Sequence, residues 1–270
     1  MTDAIVAYLS EADPVMKRLI AAAGPFAITT QEDHSPFESL ARAIAHQQLN
    51  GKAAQSILNR FISTCGQGVF PAPDALLALE DAALRASGFS FSKIAALRDL
   101  AMKTISGVVP ERAALHALSD PEIIERLTAV RGIGRWTVEM LLMFQLRRPD
   151  VLPVDDFGVR HGFRLAYGHK EMPAPKVLAL FGERWGPYRS AAAWYLWRAV
   201  DLARAGQLPA PAQTVKLPRL PRKRRKAAAR KPSRKLRRAA ASAVRPARSD
   251  ARTRARRRPA RRSPAPKKKK

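Results

Sequence analysis

Apolar positions recur with helical spacing along most of the first 205 residues. After Ser35-Pro36, apolar side chains stand at Leu40, Ala43 and Ile44, three or four positions apart. The same spacing returns in residues 53–63, 92–102, 120–130, 136–146 and 189–203. No alternating apolar run of strand type interrupts the pattern. The spacing therefore predicts an all-α domain of roughly ten helices with short connections.

Helix starts are marked by capping residues. Ser35, Pro36 and Glu38 occupy the N-cap, N1 and N3 positions of a capping box. Asp120-Pro121 opens a later helix in a similar way. These signals support the helical interpretation of the apolar spacing.

The charge is distributed very unevenly. The chain of 270 residues has 49 Lys and Arg against 22 Asp and Glu, a formal net charge of +27. Residues 211–270 alone hold 26 of these basic residues and a single acid, Asp250, with no aromatic side chain. Such a composition cannot bury enough apolar area to offset its ordering entropy. We therefore expect a folded domain over 1–208 and a disordered Lys/Arg/Ala/Pro-rich tail over 209–270 that neutralises phosphates without reading bases.

Several classes of protein are excluded or disfavoured. With one cysteine, Cys65, the chain can form neither an intrachain disulfide nor a four-cysteine iron–sulfur cluster. The histidines show no metal-ligand spacing, so we expect no metal and no cofactor. No apolar run reaches the length of a membrane span, and the first residues do not resemble a secretory signal.

The most informative segment joins two helices at about 122–146. Gly132 and Gly134 flank Ile133 in a tight turn, where glycine permits positive φ and a close backbone approach. The free N–H groups of this turn, at a helix N-terminus beside Arg135, suit a phosphate oxygen. A glycine pair between helices is by itself also typical of a simple αα-turn.

Two adjacent acids follow the second of these helices. Asp155 and Asp156 stand after Leu152-Pro153-Val154, where a new helix begins. One acid suffices as an N-cap, which leaves the other free to project elsewhere.

These blocks together resemble the helix-hairpin-helix, Gly/Pro-rich loop, aspartate superfamily of DNA glycosylases, and in particular the DNA-3-methyladenine glycosylase II family. The resemblance covers about residues 12–205. It rests on five blocks in the family's order: residues 37–49, 88–93, 131–137, 152–156 and 185–197. It implies a two-lobed helical fold and excision of alkylated purines such as 3-methyladenine and 7-methylguanine from double-stranded DNA.

The resemblance implies a catalytic carboxylate at Asp156, with Asp155 as the helix cap or the alternative. The N-glycosidic bond breaks through a transition state with positive charge on the sugar, which a fixed carboxylate stabilises. Bifunctional members of the superfamily carry a lysine just after the hairpin, where this chain has Trp136. The expected enzyme is therefore monofunctional and uses water.

The resemblance also implies a base pocket of aromatic side chains. Trp136 and Trp197 match pocket positions, and Tyr188 is a further candidate. Aromatic faces attract the positive charge of alkylated purines. For any tryptophan on an apolar helix, core packing is the competing interpretation.

Contacts to the DNA are expected from two further segments. Gln48, with Leu49 beside it, matches the wedge that fills the gap left by a flipped base. Ser92 and Lys93 are expected on backbone phosphates, like the hairpin, although residues 88–93 equally fit a plain helix start.

Two alternative functions stay open at this stage. One is a non-enzymatic protein that compacts DNA, and the other is a glycosylase for deaminated or etheno purines. We further expect a monomer in the cytoplasm, associated with the nucleoid in a bacterium, or in the nucleus of a eukaryote.

Overall fold

The computed structural model describes residues 2–29, 34–211 and 215–220, which form thirteen α-helices and one 3-10 turn without any strand. In chain order the helices are α1 (Thr2–Ala12), α2 (Pro14–Ala23), α3 (Pro36–His46), α4 (Gly51–Cys65), α5 (Pro73–Ala78), α6 (Asp81–Ser87), α7 (Phe91–Ile105), α8 (Arg112–His116), α9 (Asp120–Thr128), α10 (Arg135–Phe144), α11 (Phe157–Ala166), α12 (Pro175–Gly182) and α13 (Arg189–Arg204). The 3-10 turn, Glu183–Trp185, joins α12 to α13.

The prediction of an all-α fold is confirmed, although the described residues contain more helices than the ten expected. Helices α5 and α8 are only six and five residues long, too short to show a helical repeat of apolar positions. The capping box at Ser35 is half formed: its hydroxyl accepts the Glu38 N–H at 3.1 Å, but Glu38 turns to Arg42.

The helices divide into two lobes. In the first lobe, α3, α4, α5, α6, α7, α9 and α10 pack on one another. In the second lobe, α1 and α2 pack with α11, α13 and the 3-10 turn, so the beginning and the end of the domain lie together. The helix-hairpin-helix pair, α9 and α10, belongs to the first lobe, whereas α11 and α13 belong to the second.

Helices α11 and α13 approach closely because of one glycine. A Cβ atom on Gly162 would lie 1.8 Å from the carbonyl oxygen of Leu196, a distance at which no side chain fits. This contact brings the middle of α11 against the middle of α13.

A buried carboxylate holds the second lobe together. Asp13, only 2% exposed, caps α2 by accepting the N–H groups of Val15 and Met16. Its other oxygen accepts the Tyr167 hydroxyl at 2.7 Å and the Trp185 indole N–H at 3.1 Å. Burial, and then the Asp13 charge, raise the pKa of the Tyr167 hydroxyl well above its ordinary value. The carboxylate is thus almost fully buried and surrounded by donors.

The compact unit ends later than the boundary expected at 208. Leu208, Val215 and Leu217 pack against the core, and Arg18 donates to the carbonyl of Ala210 at 3.2 Å. The unit therefore extends to Leu220. The rest of the expected tail, 221–270, lies outside the described residues. Among the described helices, none has the length and apolarity needed to cross a membrane.

Candidate active site

The Asp156 carboxylate lies where the two lobes meet and accepts hydrogen bonds from both of them. Its Oδ1 accepts the indole N–H of Trp197, from α13, at 2.8 Å, and its Oδ2 accepts the indole N–H of Trp136, from α10, at 2.8 Å. The backbone N–H of Val159 also donates to Oδ1, at 2.7 Å. These three donors fix both oxygens of a group that, when ionised, can only accept.

The position of Asp156 follows from its place at the start of α11. It is the N-cap of that helix, through its bond to Val159. The expectation that Asp155 would serve as the cap is therefore wrong, because Asp156 performs the capping with one oxygen and keeps the other for Trp136. Asp155 is exposed.

The two tryptophans differ in their surroundings. Trp197 stacks on Phe144 with ring centres 5.9 Å apart and planes at 23°, and both pack against the core. Trp136 is 48% exposed, which excludes the core-packing interpretation for this residue. Trp197 is therefore fixed between Asp156 and the core, whereas Trp136 bonds Asp156 with its ring half exposed.

Gly158 leaves the space in which the Trp197 indole reaches the carboxylate. A Cβ atom on Gly158 would lie 2.7 Å from Cδ1 of Trp197 and 3.1 Å from Oδ1 of Asp156. Neither Gly158 nor Phe144 is among the site residues predicted from the sequence. Two glycines four apart in a helical pattern, Gly158 and Gly162, are the available signal, since such positions indicate close approach of another element.

A buried acid supports the hairpin side of the site. The Glu139 carboxylate, on α10, accepts the Nε–H of Arg135 at 2.8 Å; its side chain is 4% exposed, against 63% for Arg135. Burial raises the pKa of Glu139 above its ordinary value, although Arg135 opposes the shift. Glu139 thus holds the exposed guanidinium at the start of α10.

The hairpin, residues 129–134 between α9 and α10, has the expected positive φ at one of its two glycines, and among the described residues no backbone closely approaches either glycine. Gly132 has φ of 79°, whereas Gly134, the N-cap of α10, does not use positive φ. Ile133 is buried beneath the turn. In the part of the chain that the structure describes, no acceptor bonds the backbone N–H of Gly132 or Gly134. The hairpin therefore presents free donors at a helix N-terminus.

The wedge turn, residues 47–50 between α3 and α4, faces a cleft that Trp136 also lines. Gln48 is exposed with φ of 58°, and Leu49 is 41% exposed. The cleft has a volume of about 970 Å³, and its lining includes Gln47, Gln48, Gly132, Trp136 and Phe144. Wedge turn, hairpin and Trp136 are thus brought together.

Ser92 and Lys93 are placed differently from one another. Ser92 is exposed in the first turn of α7 and bonds Ser90, which is the actual N-cap. The Lys93 ammonium donates to the carbonyl of Ala45 at 2.6 Å, and burial lowers its pKa. One N–H of the Lys93 ammonium is thus bound to the end of α3, and the expected phosphate contact stays a prediction for its other two donors.

Tyr188 is not brought to Asp156. It stacks edge-on against Tyr8 at 5.3 Å and lines a separate cavity of about 350 Å³ with Ile5, Phe26 and Met143. The structure therefore differs from the expected place of Tyr188 in the base pocket. Tyr188 occupies the N-cap position of α13, nine residues before Trp197, or roughly 13 Å along the helix axis. Within the described ranges, no group of three His, Cys, Asp or Glu side chains is arranged to hold a metal ion.

Comparison with known proteins decides the family. Residues 41–187 match the model of the HhH-GPD superfamily base excision DNA repair protein. The chain belongs to the HhH-GPD superfamily. The resemblance to this superfamily, inferred from five sequence blocks in the family's order, is thereby confirmed.

Individual members of the HhH-GPD superfamily are similar over most of the domain. DNA-3-methyladenine glycosylase 1 of Schizosaccharomyces pombe is 44% identical over 73% of this chain and 86% of its own length. The solved structure of the Schizosaccharomyces pombe 3-methyladenine DNA glycosylase Mag1 in complex with abasic DNA has a TM-score of 0.67, covering 74% of this chain and 97% of its own. The crystal structure of a Bacillus halodurans DNA-3-methyladenine glycosidase, 35% identical, has a TM-score of 0.62 over 71% and 92% of the two chains.

Proposed function

We propose that this chain is a monofunctional DNA glycosylase that flips an alkylated purine out of double-stranded DNA and hydrolyses its N-glycosidic bond. The observation that carries the proposal is the Asp156 carboxylate, fixed by Trp136, Trp197 and Val159. Of these partners, Trp136 lines the open cleft. The names of its relatives, DNA-3-methyladenine glycosylases, support the substrate class.

The chemistry needs a fixed anion next to the sugar. As the bond from the sugar to the base lengthens, its electron pair leaves with the base and positive charge develops on the sugar. The Asp156 carboxylate stabilises that charge and accepts a proton from the water that bonds to the anomeric carbon. A base alkylated at a ring nitrogen is cationic and departs neutral, so it leaves without protonation by the enzyme.

The nucleophile is water rather than an amine. Position 136, where bifunctional members carry lysine, holds a tryptophan whose indole N–H already donates to Asp156. An indole nitrogen forms no Schiff base, which requires a primary amine. The tryptophan instead offers an aromatic face to a cationic base.

Residues around the cleft bind the DNA. The free N–H groups of Gly132 and Gly134 and the Arg135 guanidinium bind backbone phosphates, with Ser92 as a further contact. Gln48 and Leu49, exposed on the wedge turn, enter the space that the flipped base vacates. We expect the enzyme to act as a monomer in the compartment that holds the DNA, which light scattering with and without duplex would check.

Single-turnover release of 7-methylguanine and 3-methyladenine from methylated duplex DNA tests the proposal. Asp156→Asn keeps an acceptor for Val159, since asparagine caps helices as well as aspartate. We expect base release to fall by about 10²–10³-fold, the typical cost of losing an electrostatic stabiliser, while binding to duplex containing an abasic site persists.

The matched control is Asp155→Asn, which removes the same charge one residue away from an exposed position. It should release base at close to the wild-type rate. Wild-type release by Asp156→Asn would refute the assignment of Asp156, and absence of release by the wild type would leave a DNA-binding protein without hydrolysis.

We also propose that the basic tail tethers the domain to DNA regardless of sequence. Truncation after Leu220, where the compact unit ends, should weaken binding. The slope of its salt dependence should fall by roughly 0.7–0.9 for each phosphate that the tail neutralises in the full chain. Base release at saturating enzyme should persist. A salt dependence identical to that of the full chain would mean that the tail does not bind DNA.

A further inference from the structure

Helix α7 supports both turns that face the cleft. Near its start, Lys93 donates to the Ala45 carbonyl at 2.6 Å, just before the wedge turn. Two turns later, the Asp99 carboxylate accepts the Arg131 N–H of the hairpin at 2.6 Å. Between them, Ala96 lies 3.4 Å from where a Cβ on Gly132 would stand. One rigid element therefore lies beneath two turns that are far apart in sequence.

Gln47 joins the two turns directly. Its side-chain Nε2 donates to the carbonyl oxygen of Gly132 at 2.7 Å, across 85 positions of sequence. This carbonyl belongs to the same residue whose N–H is free for phosphate. The bond therefore links the wedge turn to the hairpin without occupying the donors of the hairpin.

The residue next to Gln47 has a backbone that needs support. Gln48 has φ of 58°, in the left-handed region that residues other than glycine rarely adopt. Such a conformation persists only where its surroundings determine it, and it is common at functional sites. Gln47 is anchored on one side by its N–H on the Ile44 carbonyl and on the other by its side chain on Gly132.

We propose that Gln47 is a positioning residue that fixes the wedge turn relative to the hairpin. When the hairpin binds the DNA backbone, Gln48 is then placed for insertion into the duplex. The proposal rests on the proposed function. Gln47 acts through Gln48 and Gly132, and its task is to favour the flipped state of the base. It contributes little to the affinity for undamaged duplex, because the hairpin donors do not depend on it.

The test replaces the donor and keeps the length of the side chain. Gln47→Met removes the N–H, and Gln55→Met makes the same change at another glutamine that lines the cleft but bonds Asn59 at 2.7 Å. The probes are an undamaged duplex for affinity, a duplex with 2-aminopurine beside an abasic site for flipping of the abasic nucleotide out of the helix, and methylated duplex for base release.

We expect Gln47→Met to lower the 2-aminopurine fluorescence change and single-turnover release by about fivefold, the factor that corresponds to one net hydrogen bond. Affinity for undamaged duplex should stay within about twofold of wild type, a split that general loosening of the fold would not produce. Gln55→Met should resemble wild type. Gln47→Lys, which returns a donor within reach of Gly132, should recover most of the fluorescence change.

Two results would overturn the proposal. Equal losses in affinity for undamaged duplex and in flipping would make Gln47 a direct DNA contact, and unchanged flipping would show that the bond has no positioning role. The fluorescence measurement needs no hydrolysis. A wild type that flips but releases no base would therefore refute the proposed function, while fluorescence alone still decides the role of Gln47.

Discussion

Two aspartates of this molecule have nearly the same hydrogen-bond partners and very different surroundings. Asp13 caps α2 and Asp156 caps α11; each accepts backbone N–H on one oxygen and an indole N–H on the other. Asp13 is 2% exposed among Tyr167 and Trp185, which are themselves fully buried. Asp156 is half-buried, and its partner Trp136 is 48% exposed.

The difference shows that the donors around a carboxylate do not by themselves distinguish a candidate catalytic group from a structural one. Comparable bonds enclose Asp13 in the core and join Asp156 to Trp136, which lines the cleft. The two aspartates differ in the exposure of their indole partners. Trp136, which bonds Asp156, is accessible to a substrate, whereas Trp185, which bonds Asp13, is fully buried. The expected outcomes below would separate these two roles experimentally.

The largest effect on stability is expected at Asp13. Asp13→Ala leaves the Tyr167 hydroxyl, the Trp185 N–H and two backbone N–H groups buried without an acceptor, at a cost of at least about 3 kcal/mol in the free energy of unfolding. Urea denaturation measures this cost. Base release per folded molecule should stay unchanged, and the exposed control Asp155→Ala should shift stability by less than about 0.5 kcal/mol. A loss of release at full stability would mean that Asp13 has a role at the active site.

An intermediate effect is expected at Gly158. In Gly158→Ala the new methyl group displaces the Trp197 indole, which should slow single-turnover release by about tenfold with stability within about 1 kcal/mol of wild type. The control Gly162→Ala meets the Leu196 backbone instead and should destabilise the fold. Normal release by Gly158→Ala would show that the bond from Trp197 to Asp156 is dispensable.

The smallest effect concerns a third aspartate, which has a guanidinium partner in place of an indole. Arg189 bonds both oxygens of Asp150, at 2.7 and 2.6 Å, and lowers the pKa of that carboxyl below its usual range. A carboxyl with a lowered folded-state pKa stabilises the fold above its unfolded pKa of about 3.9, and this contribution is lost as the pH falls through the folded value.

Arg189→Gln should therefore lower the unfolding free energy by about 1 kcal/mol or less at pH 7, and the gap from wild type should narrow toward pH 3. Urea midpoints at the two pH values measure it. Arg204→Gln, whose partner Asp201 lies 3.8 Å away, serves as the control and should show a small gap throughout. A gap for Arg189→Gln that widens in acid would contradict the assigned direction of the pKa shift.

The helices and the hairpin can be predicted from sequence because their signals are local. Apolar spacing, the Ser35 cap and the glycine turn at Gly132 each depend on neighbouring residues. Asp156 and Trp136 are predicted through the order of motifs in a known family, and the structure joins them at 2.8 Å.

The errors concern contacts between elements far apart in sequence. Whether Asp155 or Asp156 caps α11 depends on which carboxylate the indoles of α10 and α13 reach. The bond from Lys93 to the Ala45 carbonyl, 48 positions away, is likewise a contact that no local pattern indicates. Tyr188 is next to α13, which carries Trp197, yet its ring contacts α1 instead of the base pocket.

Asp156 has two roles, as a helix cap and as the proposed catalytic group, and this affects how related sequences are interpreted. Because the residue caps α11 as well as bonding both indoles, a descendant that has lost base excision would still gain stability by retaining it. An aspartate at this position therefore identifies the architecture more securely than the activity. The exposed Trp136, which has no comparable duty in the core, is the better marker of a lineage that still excises bases.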